Sequence, residues 1–345
     1  MKFDVYFLFA ELFYIGLILG GMLYIFNFFE ITYNLITGKI QCKKISFRII
    51  NEYLFSHMVL LLSQKRICHY NESELINWAG CRLLFILSMS IILILPLSIS
   101  FLELHEYYNF YQNHEYGLLW VFFYLIGFPL VIILMDLASQ DKHVVFNGVN
   151  MLSKLLFQML PLFLVLISLV INTQSASIEQ IVNEQQAFVD IKAGSWGLVR
   201  QPLGAIVFFL YALFFIEIFS SNTTTDFMSK TQKNCLAGID RFFYESAIKT
   251  YAIVWVLFII LFFMGGVPSF PGLIQLKSVN IILYKAILFV SLLCKFSFIL
   301  FLIYFFKWFF YSFKNRFFWE KNWYIILPIA TMDLIATIII VHSRY

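Results

Sequence analysis

The chain reads as an all-α polytopic membrane protein with about eight transmembrane helices, a further amphipathic helix on one side, and both termini on the other. Three observations carry this reading. The 345 residues are 61% hydrophobic and 13% charged. The apolar residues gather in eight long runs, each sufficient to cross a hydrocarbon core of about 30 Å at about 1.5 Å per residue. The connections between runs alternate in the sign of their charge, which orients a membrane protein.

The first span, 5–29, is too long for a signal-peptide core and lacks both a strongly basic start and a small-residue cleavage site. It is expected to be a retained helix. The connection that follows is the longest, and within it Phe47, Ile50, Leu54, Met58 and Leu61 recur at three- and four-residue spacing. That spacing makes one apolar face of an amphipathic helix near 46–63, with Arg48, Asn51, Glu52 and Ser56 largely off the stripe. The remaining spans are expected near 83–103, 118–137, 149–172, 202–220, 250–267, 279–305 and 322–341. Pro96, Pro129, Pro161 and Pro328 fall inside four of them, where each frees a carbonyl and favours a kink. With no internal repeat and no Ser/Gly- or Pro-rich linker, 1–345 is expected to be a single transmembrane domain.

Basic residues concentrate in the first, third, fifth and seventh connections, among them Lys43, Lys44, Arg48, Lys65, Arg66, Lys142, Lys230, Lys233, Arg241, Lys307 and Arg316. The other face carries Glu103, Glu106, Glu115, Glu179, Glu184 and Asp190. The positive-inside rule therefore puts both termini outside and the basic loops in cytoplasm or matrix. The net charge of +4 does not point to nucleic acid, because the basic residues are divided among four loops without an aromatic platform. Neither the five cysteines nor the six histidines show metal-ligand spacing. No phosphate-binding loop, dinucleotide fingerprint or nucleophile elbow is present, so redox cofactors are expected only in soluble partners.

Ionisable residues inside lipid are costly and mark functional sites by default. Asp136, Lys154, Glu217 and Lys295 each lie roughly 15–18 residues from the outer end of their span, or about 22–27 Å deep. They are expected to form one ionisable layer in the inner third, the alternatives being a static counter-ion pair or a lysine reaching back to the interface. Glu11 and Lys285 form a second possible pair in the outer third, and Asp333 lies nearest the midplane with no evident partner.

Several short motifs occur in a telling order. A turn Leu137-Ala138-Ser139-Gln140-Asp141-Lys142 joins the third and fourth spans, and the fifth opens Gln201-Pro202-Leu203-Gly204. Then come Leu236-Ala237-Gly238, Gly265-Gly266 with Pro268, Lys285 early in the seventh span, and Arg316 ahead of Leu327-Pro328. In order and spacing these resemble the quinone-site membrane subunit of respiratory complex I, the NADH:quinone oxidoreductase of bacteria and mitochondria. The resemblance implies eight helices with both termini outside, in agreement with the charge pattern. It implies a subunit that joins the peripheral and membrane arms of a proton-translocating complex and walls the membrane side of a quinone site. Quinone would be a substrate at the subunit interface, with FMN and iron–sulfur clusters only in partner subunits. Those partners would be iron–sulfur and quinone-site peripheral subunits, small membrane subunits and antiporter-like subunits, in a bacterial inner membrane or the mitochondrial inner membrane, surrounded by lipid.

The resemblance also assigns roles by position. Lys142, Pro202, Gly204, Gly238, Gly265, Gly266, Pro268, Lys285, Arg316 and Pro328 match family landmarks, and Phe47, Ile50, Leu54, Met58 and Leu61 would line the tunnel entrance. The chain departs from the family at its chemistry. The acidic loop after the fifth helix reads Ser220-Ser221-Asn222-Thr223-Thr224-Thr225-Asp226, and Met159 stands near the family glutamate of the fourth helix. Asp136, Lys154, Glu217, Asp240, Glu245 and Lys295 are the charge-path candidates that remain. Two other readings stay open: the equivalent subunit of a membrane-bound hydrogenase or ferredoxin-linked complex, and a stand-alone ion-coupled transporter, for which no paired halves are seen.

Overall fold

The computed structural model describes residues 5–37, 74–94, 117–138, 142–186, 197–220, 238–266, 281–310 and 315–343. Among them every regular element is a helix. In chain order these are α1 (Val5–Ile36), α2 (Glu74–Ile94), α3 (Gly117–Leu137), α4 (Lys142–Thr173), α5 (Ile178–Gln186), α6 (Gly197–Arg200), α7 (Pro202–Ser220), α8 (Gly238–Phe263), α9 (Ile281–Phe310) and α10 (Asn315–His342).

The protein is an all-α polytopic membrane protein. Five helices among the described residues are long and apolar enough to cross a bilayer, and a sixth is added if α4 and α5, bent by 63°, count as one broken span. The described apolar stretches of α2 and α7 are shorter, Trp78–Ile91 and Pro202–Leu213. The expected amphipathic helix at 46–63, together with Pro96 and Pro268, lies outside the described residues.

Helix boundaries differ from the apolar runs for a physical reason. Apolarity ends where charge begins, but helical hydrogen bonding continues through charged turns that extend past the hydrocarbon. Thus α8 starts at Gly238 rather than 250 and carries Asp240, Arg241, Glu245 and Lys249 in its opening turns. It also stops at Phe263 instead of 267, because Gly265 and Gly266 take φ of 69° and 62°, the left-handed conformation that ends helices. The N–H of Gly266 turns back to the carbonyl of Ile260 at 3.0 Å.

Helix α8 is the axis of the bundle. Every residue from Tyr251 to Phe263 is buried, and α8 touches α1, α2, α5, α6, α7 and α9. Around it, α2 packs on α3, α3 on α4, and α4 and α7 on α10, while α1 lies along α9. Aromatic rings knit these contacts: Phe128 of α3 stacks on Tyr251 of α8 at 4.0 Å and 9°, and Tyr211 of α7 lies parallel to Trp255 at 6.4 Å. Large apolar side chains such as Phe298, Phe301 and Phe305 on α9 and Ile335 and Ile339 on α10 are exposed, as on a surface facing hydrocarbon. Polar residues inside the helices are satisfied locally; Ser88, Ser90 and Ser291 each donate to the carbonyl three residues before.

The end of the bundle where α4 stops is closed by α5. Ser177 caps α5, its Oγ accepting the N–H of Gln180 at 3.2 Å. The start of α3 is tied there by the Leu118 N–H to the carbonyl of Ala176 at 2.9 Å.

Candidate functional site

Three of the charge-path candidates gather at one end of the bundle, where α3 finishes and α2, α4 and α8 begin. Asp136, in the last turn of α3, is fully buried. Neither of its carboxylate oxygens has a hydrogen-bond partner among the described residues. The helices around it approach through glycines. A Cβ on Gly148 of α4 would sit 3.2 Å from Cβ of Asp136, and one on Gly80 of α2 would sit 2.6 Å from Cγ of Met135. From α8, Tyr244 is the electrostatic neighbour of Asp136, of Cys81 on α2 and of Glu245. Phe85 of α2 and Phe243 of α8, 5.1 Å apart, pack beside this group.

Asp240 lies in the first turn of α8 and is buried, where a carboxylate is favoured by the exposed N–H groups of the helix start. Glu245 accepts from Arg241 at 3.1 Å one helical turn away. Lys249, further along, donates to Oδ1 of Asn27 on α1 at 2.8 Å. At the same end, Lys307 of α9 is buried with its Nζ 4.9 Å from the ring of Tyr33 and 5.9 Å from that of Tyr304. Phe29 stacks on Tyr304 at 6.1 Å and 9°. The basic end of the bundle thus holds a buried bare carboxyl, flanking acids and a cation set among aromatic rings. Glu217 lies near the end of α7 and Lys154 within α4, but neither side chain is described, and the same holds for Glu11, Lys285 and Arg316.

Lys295 does not belong to this group. Its Nζ donates to the carbonyls of Met264 and Gly266, 2.8 Å each, at the far end of α8. From Tyr244 to Met264 is twenty residues, about 30 Å of helix. The expected single layer with Asp136 is therefore corrected. Counting depth from the outer end assumes that all spans start level, whereas α8 ends early at its glycines and α9 runs past it.

Gln185 of α5 completes the closure of α8. Its Nε2 donates to the Phe262 carbonyl at 2.6 Å, and its Oε1 accepts the Gly265 N–H at 2.8 Å. These bonds serve backbone groups that a helix end otherwise leaves unpaired.

Asp333, for which the sequence offers no evident partner, has two. Ser168 of α4 lies 2.6 Å from its Oδ2 as donor, and the N–H of Gly204 in α7 donates to Oδ1 at 2.9 Å. A Cβ on Gly204 would stand 2.9 Å from Oδ2, so only glycine admits this approach. Gln201 Nε2 donates to the Ser168 carbonyl at 2.9 Å and to Thr337 Oγ1 at 3.2 Å. The signals for this network are present in the sequence as a glycine two residues into a span and an Asp–Thr pair one turn apart, but nothing local says that three distant helices meet there. Gly80, Gly148 and Tyr244 likewise carry no local signal that singles them out.

Of the other landmarks, Pro202 opens α7, a position where its missing N–H costs nothing, and Lys142 opens α4. Gly238 starts α8 with φ 59°, and Pro328 sits inside α10.

Comparison with known proteins identifies the family. Residues 52–220 match the model of the NADH dehydrogenase family. The chain belongs to the NADH dehydrogenase family. The corresponding membrane subunit of the NADH-quinone oxidoreductase of Salinibacter ruber is 26% identical over 211 residues, covering 57% of this chain and 59% of that protein. The chain thus spans about three fifths of the length of the curated relative it matches. The stretch that matches the NADH dehydrogenase family contains Asp136, Gly148, Ser168, Gly204 and Glu217, while Asp240, Glu245, Lys295 and Asp333 lie beyond it. Among the described residues no three of His, Cys, Asp and Glu come together as metal ligands would, so no chemical step is derived through a metal on this chain.

Proposed function

We propose that this chain is a membrane-arm subunit of a proton-pumping NADH:quinone oxidoreductase, non-catalytic alone, that joins the peripheral arm to the membrane arm and walls the membrane side of the quinone site. The observation that carries this reading is the family match over residues 52–220. The geometry supports it: the end of the bundle that charge assigns to the cytoplasm or matrix carries Asp136 bare and buried, with Asp240 and Glu245 beside it. The partners are then the iron–sulfur and quinone-site peripheral subunits, which carry FMN and the clusters, together with small membrane subunits, antiporter-like subunits and lipid. The membrane is a bacterial inner membrane or the mitochondrial inner membrane.

In this reading the chain supplies fixed apolar walls and responsive charge. Quinone is the substrate at the interface, entering past the segment that carries Phe47, Ile50, Leu54, Met58 and Leu61, with the Tyr33–Tyr304–Lys307 group as a neighbouring aromatic wall. Reduction of quinone at the basic end alters the local charge. The carboxyls of Asp136, Glu217, Asp240 and Glu245 then redistribute protons, a response of the kind that intramembrane acids provide. Lys154 is a candidate partner within α4, and Lys295 anchors the far end of α8 away from these carboxyls.

The test is purification of the tagged chain in mild detergent with mass spectrometry of its companions. Iron–sulfur and antiporter-like subunits are expected. A nickel–iron hydrogenase subunit in their place would select the ferredoxin-linked alternative, and a chain that runs alone would select the transporter. Within an assembled complex, Glu217→Gln is expected to lower turnover without disassembly; unchanged quinone reduction and pumping would remove Glu217 from the path.

A further inference from the structure

We propose that Asp333, at the junction of α4, α7 and α10, is a second proton-binding site that takes up and releases a proton on a fixed framework, at the opposite end of the bundle from Asp136. Ser168 Oγ stands 2.6 Å from Asp333 Oδ2 and 2.8 Å from the carbonyl of Val165. A serine hydroxyl has one hydrogen, so it serves one of these acceptors at a time. With the carboxyl ionised, that hydrogen points to Oδ2. With the carboxyl protonated, Oδ2–H donates to Ser168 Oγ, whose own hydrogen turns to the Val165 carbonyl. One proton is gained from water at that face or returned to it, and no heavy atom has to move. The N–H of Gly204 serves Oδ1 in both forms.

The surroundings keep the pair in register. Gln201 holds Ser168 through its backbone carbonyl, and Thr337 Oγ1 donates to the carbonyl of Asp333 itself at 2.8 Å. The Oε1 of that same Gln201 amide is buried and has no partner among the described residues, which leaves an acceptor beside the network for an incoming donor. A static tie between helices needs one donor and one acceptor; here two acceptors share one hydrogen.

Among the described residues no other charge faces the carboxyl from the helices packed around it. On α4 the ionisable residues are Lys142, His143 and Lys154, at least fourteen residues before Ser168, about 21 Å along the helix. On α7, Glu217 is thirteen residues beyond Gly204, about 20 Å away. On α10 itself, His342 lies nine residues on, and Arg316, Glu320 and Lys321 lie twelve or more before. Water is the proton source nearest to hand, because Gly204 is two residues from the start of α7 and Ser168 five from the end of α4.

The role of this site in translocation rests on the function proposed above, whereas proton binding by Asp333 does not. The test is infrared difference spectroscopy of the purified full chain or its complex between acidic and alkaline buffer. A protonated-carboxyl band is expected that disappears entirely in Asp333→Asn and shifts in frequency in Ser168→Ala, which keeps the carboxyl but removes its partner. Asp333→Asn preserves the size of the side chain and the Gly204 bond. Should it fail to fold, the Ser168→Ala shift alone decides. Spectra unchanged in both variants would overturn the proposal. Failure to co-purify with oxidoreductase subunits would sink the assembly reading and leave these bands as they are.

Discussion

The hydroxyl of Tyr251 in α8 donates to the backbone carbonyl of Leu125 in α3 at 3.1 Å. Four residues after Leu125 stands Pro129, which has no N–H to offer that carbonyl. Both Leu125 and Tyr251 are fully buried, and an unpaired carbonyl in such surroundings is expensive. The central helix therefore repairs the gap that proline opens in its neighbour. Tyr251→Phe is expected to lower the stability of the detergent-solubilised chain by about 1–2 kcal/mol. In a Pro129→Ala background the same change should cost far less, because the N–H of the new alanine reaches Leu125. Thermal unfolding of the four proteins of this cycle should give a coupling of about 1 kcal/mol; equal costs in both backgrounds would refute the repair.

Two glycines mark close approaches that differ in what lies opposite. A Cβ on Gly197 of α6 would run into the carbonyl oxygen of Phe262, part of the rigid end of α8. A Cβ on Gly80 would meet Met135 Cγ and Sδ, at 2.6 and 2.7 Å, and methionine swings aside. Gly197→Ala is thus expected to cost about 3 kcal/mol and Gly80→Ala about 1 kcal/mol. Thermal melts of the two variants read the difference, and a larger loss for Gly80→Ala would show that the α2–α3 contact is the stiffer one.

The all-α membrane architecture was legible from the sequence because long apolar runs and alternating loop charge are both one-dimensional patterns. The eight expected segments coincide in order with the long helices, and the errors fall at their ends. Polar turns such as Gly238–Lys249 stay helical beyond the apolar run, and the Gly265–Gly266 pair stops α8 before it. The site was less legible. Depth counting groups Lys295 with Asp136, but capping of the end of α8 is a relation between distant segments that no spacing rule reveals. Asp333 escapes notice for the same reason, since its partners Ser168 and Gly204 are 165 and 129 residues away.

Asp136 combines complete burial with the absence of any partner among the described residues. Groups retained in such positions serve activity at the expense of folding. Asp136→Asn matches the carboxyl in size and cannot ionise, so the variant is expected to be as stable as the parent or up to about 2 kcal/mol more so. In the assembled complex its turnover should fall about tenfold or more, equivalent to at least about 1.4 kcal/mol of lost barrier reduction. The pair of measurements is thermal unfolding and proton-coupled quinone reduction. A variant that is markedly less stable, or one that works normally, would take Asp136 out of the proposed path.

Lys295 should behave in the opposite way. Its ammonium holds two carbonyls where α8 ends, Met264 and Gly266, both at 2.8 Å, and a cation at a helix C-terminus is also favoured by the helix dipole. Charge-assisted bonds of this kind contribute about 1.5–3 kcal/mol each when their loss strands a buried group. Lys295→Met is expected to destabilise the chain by about 2–4 kcal/mol in total, and Lys295→Arg by less. Gln185→Leu, which frees the neighbouring Phe262 carbonyl and Gly265 N–H, should couple with it instead of adding independently, since both residues secure the same helix end. Turnover per intact complex should change little in Lys295→Met. If the melt is unaffected and turnover collapses instead, Lys295 carries charge in the mechanism, and its bonds to α8 are incidental to that work.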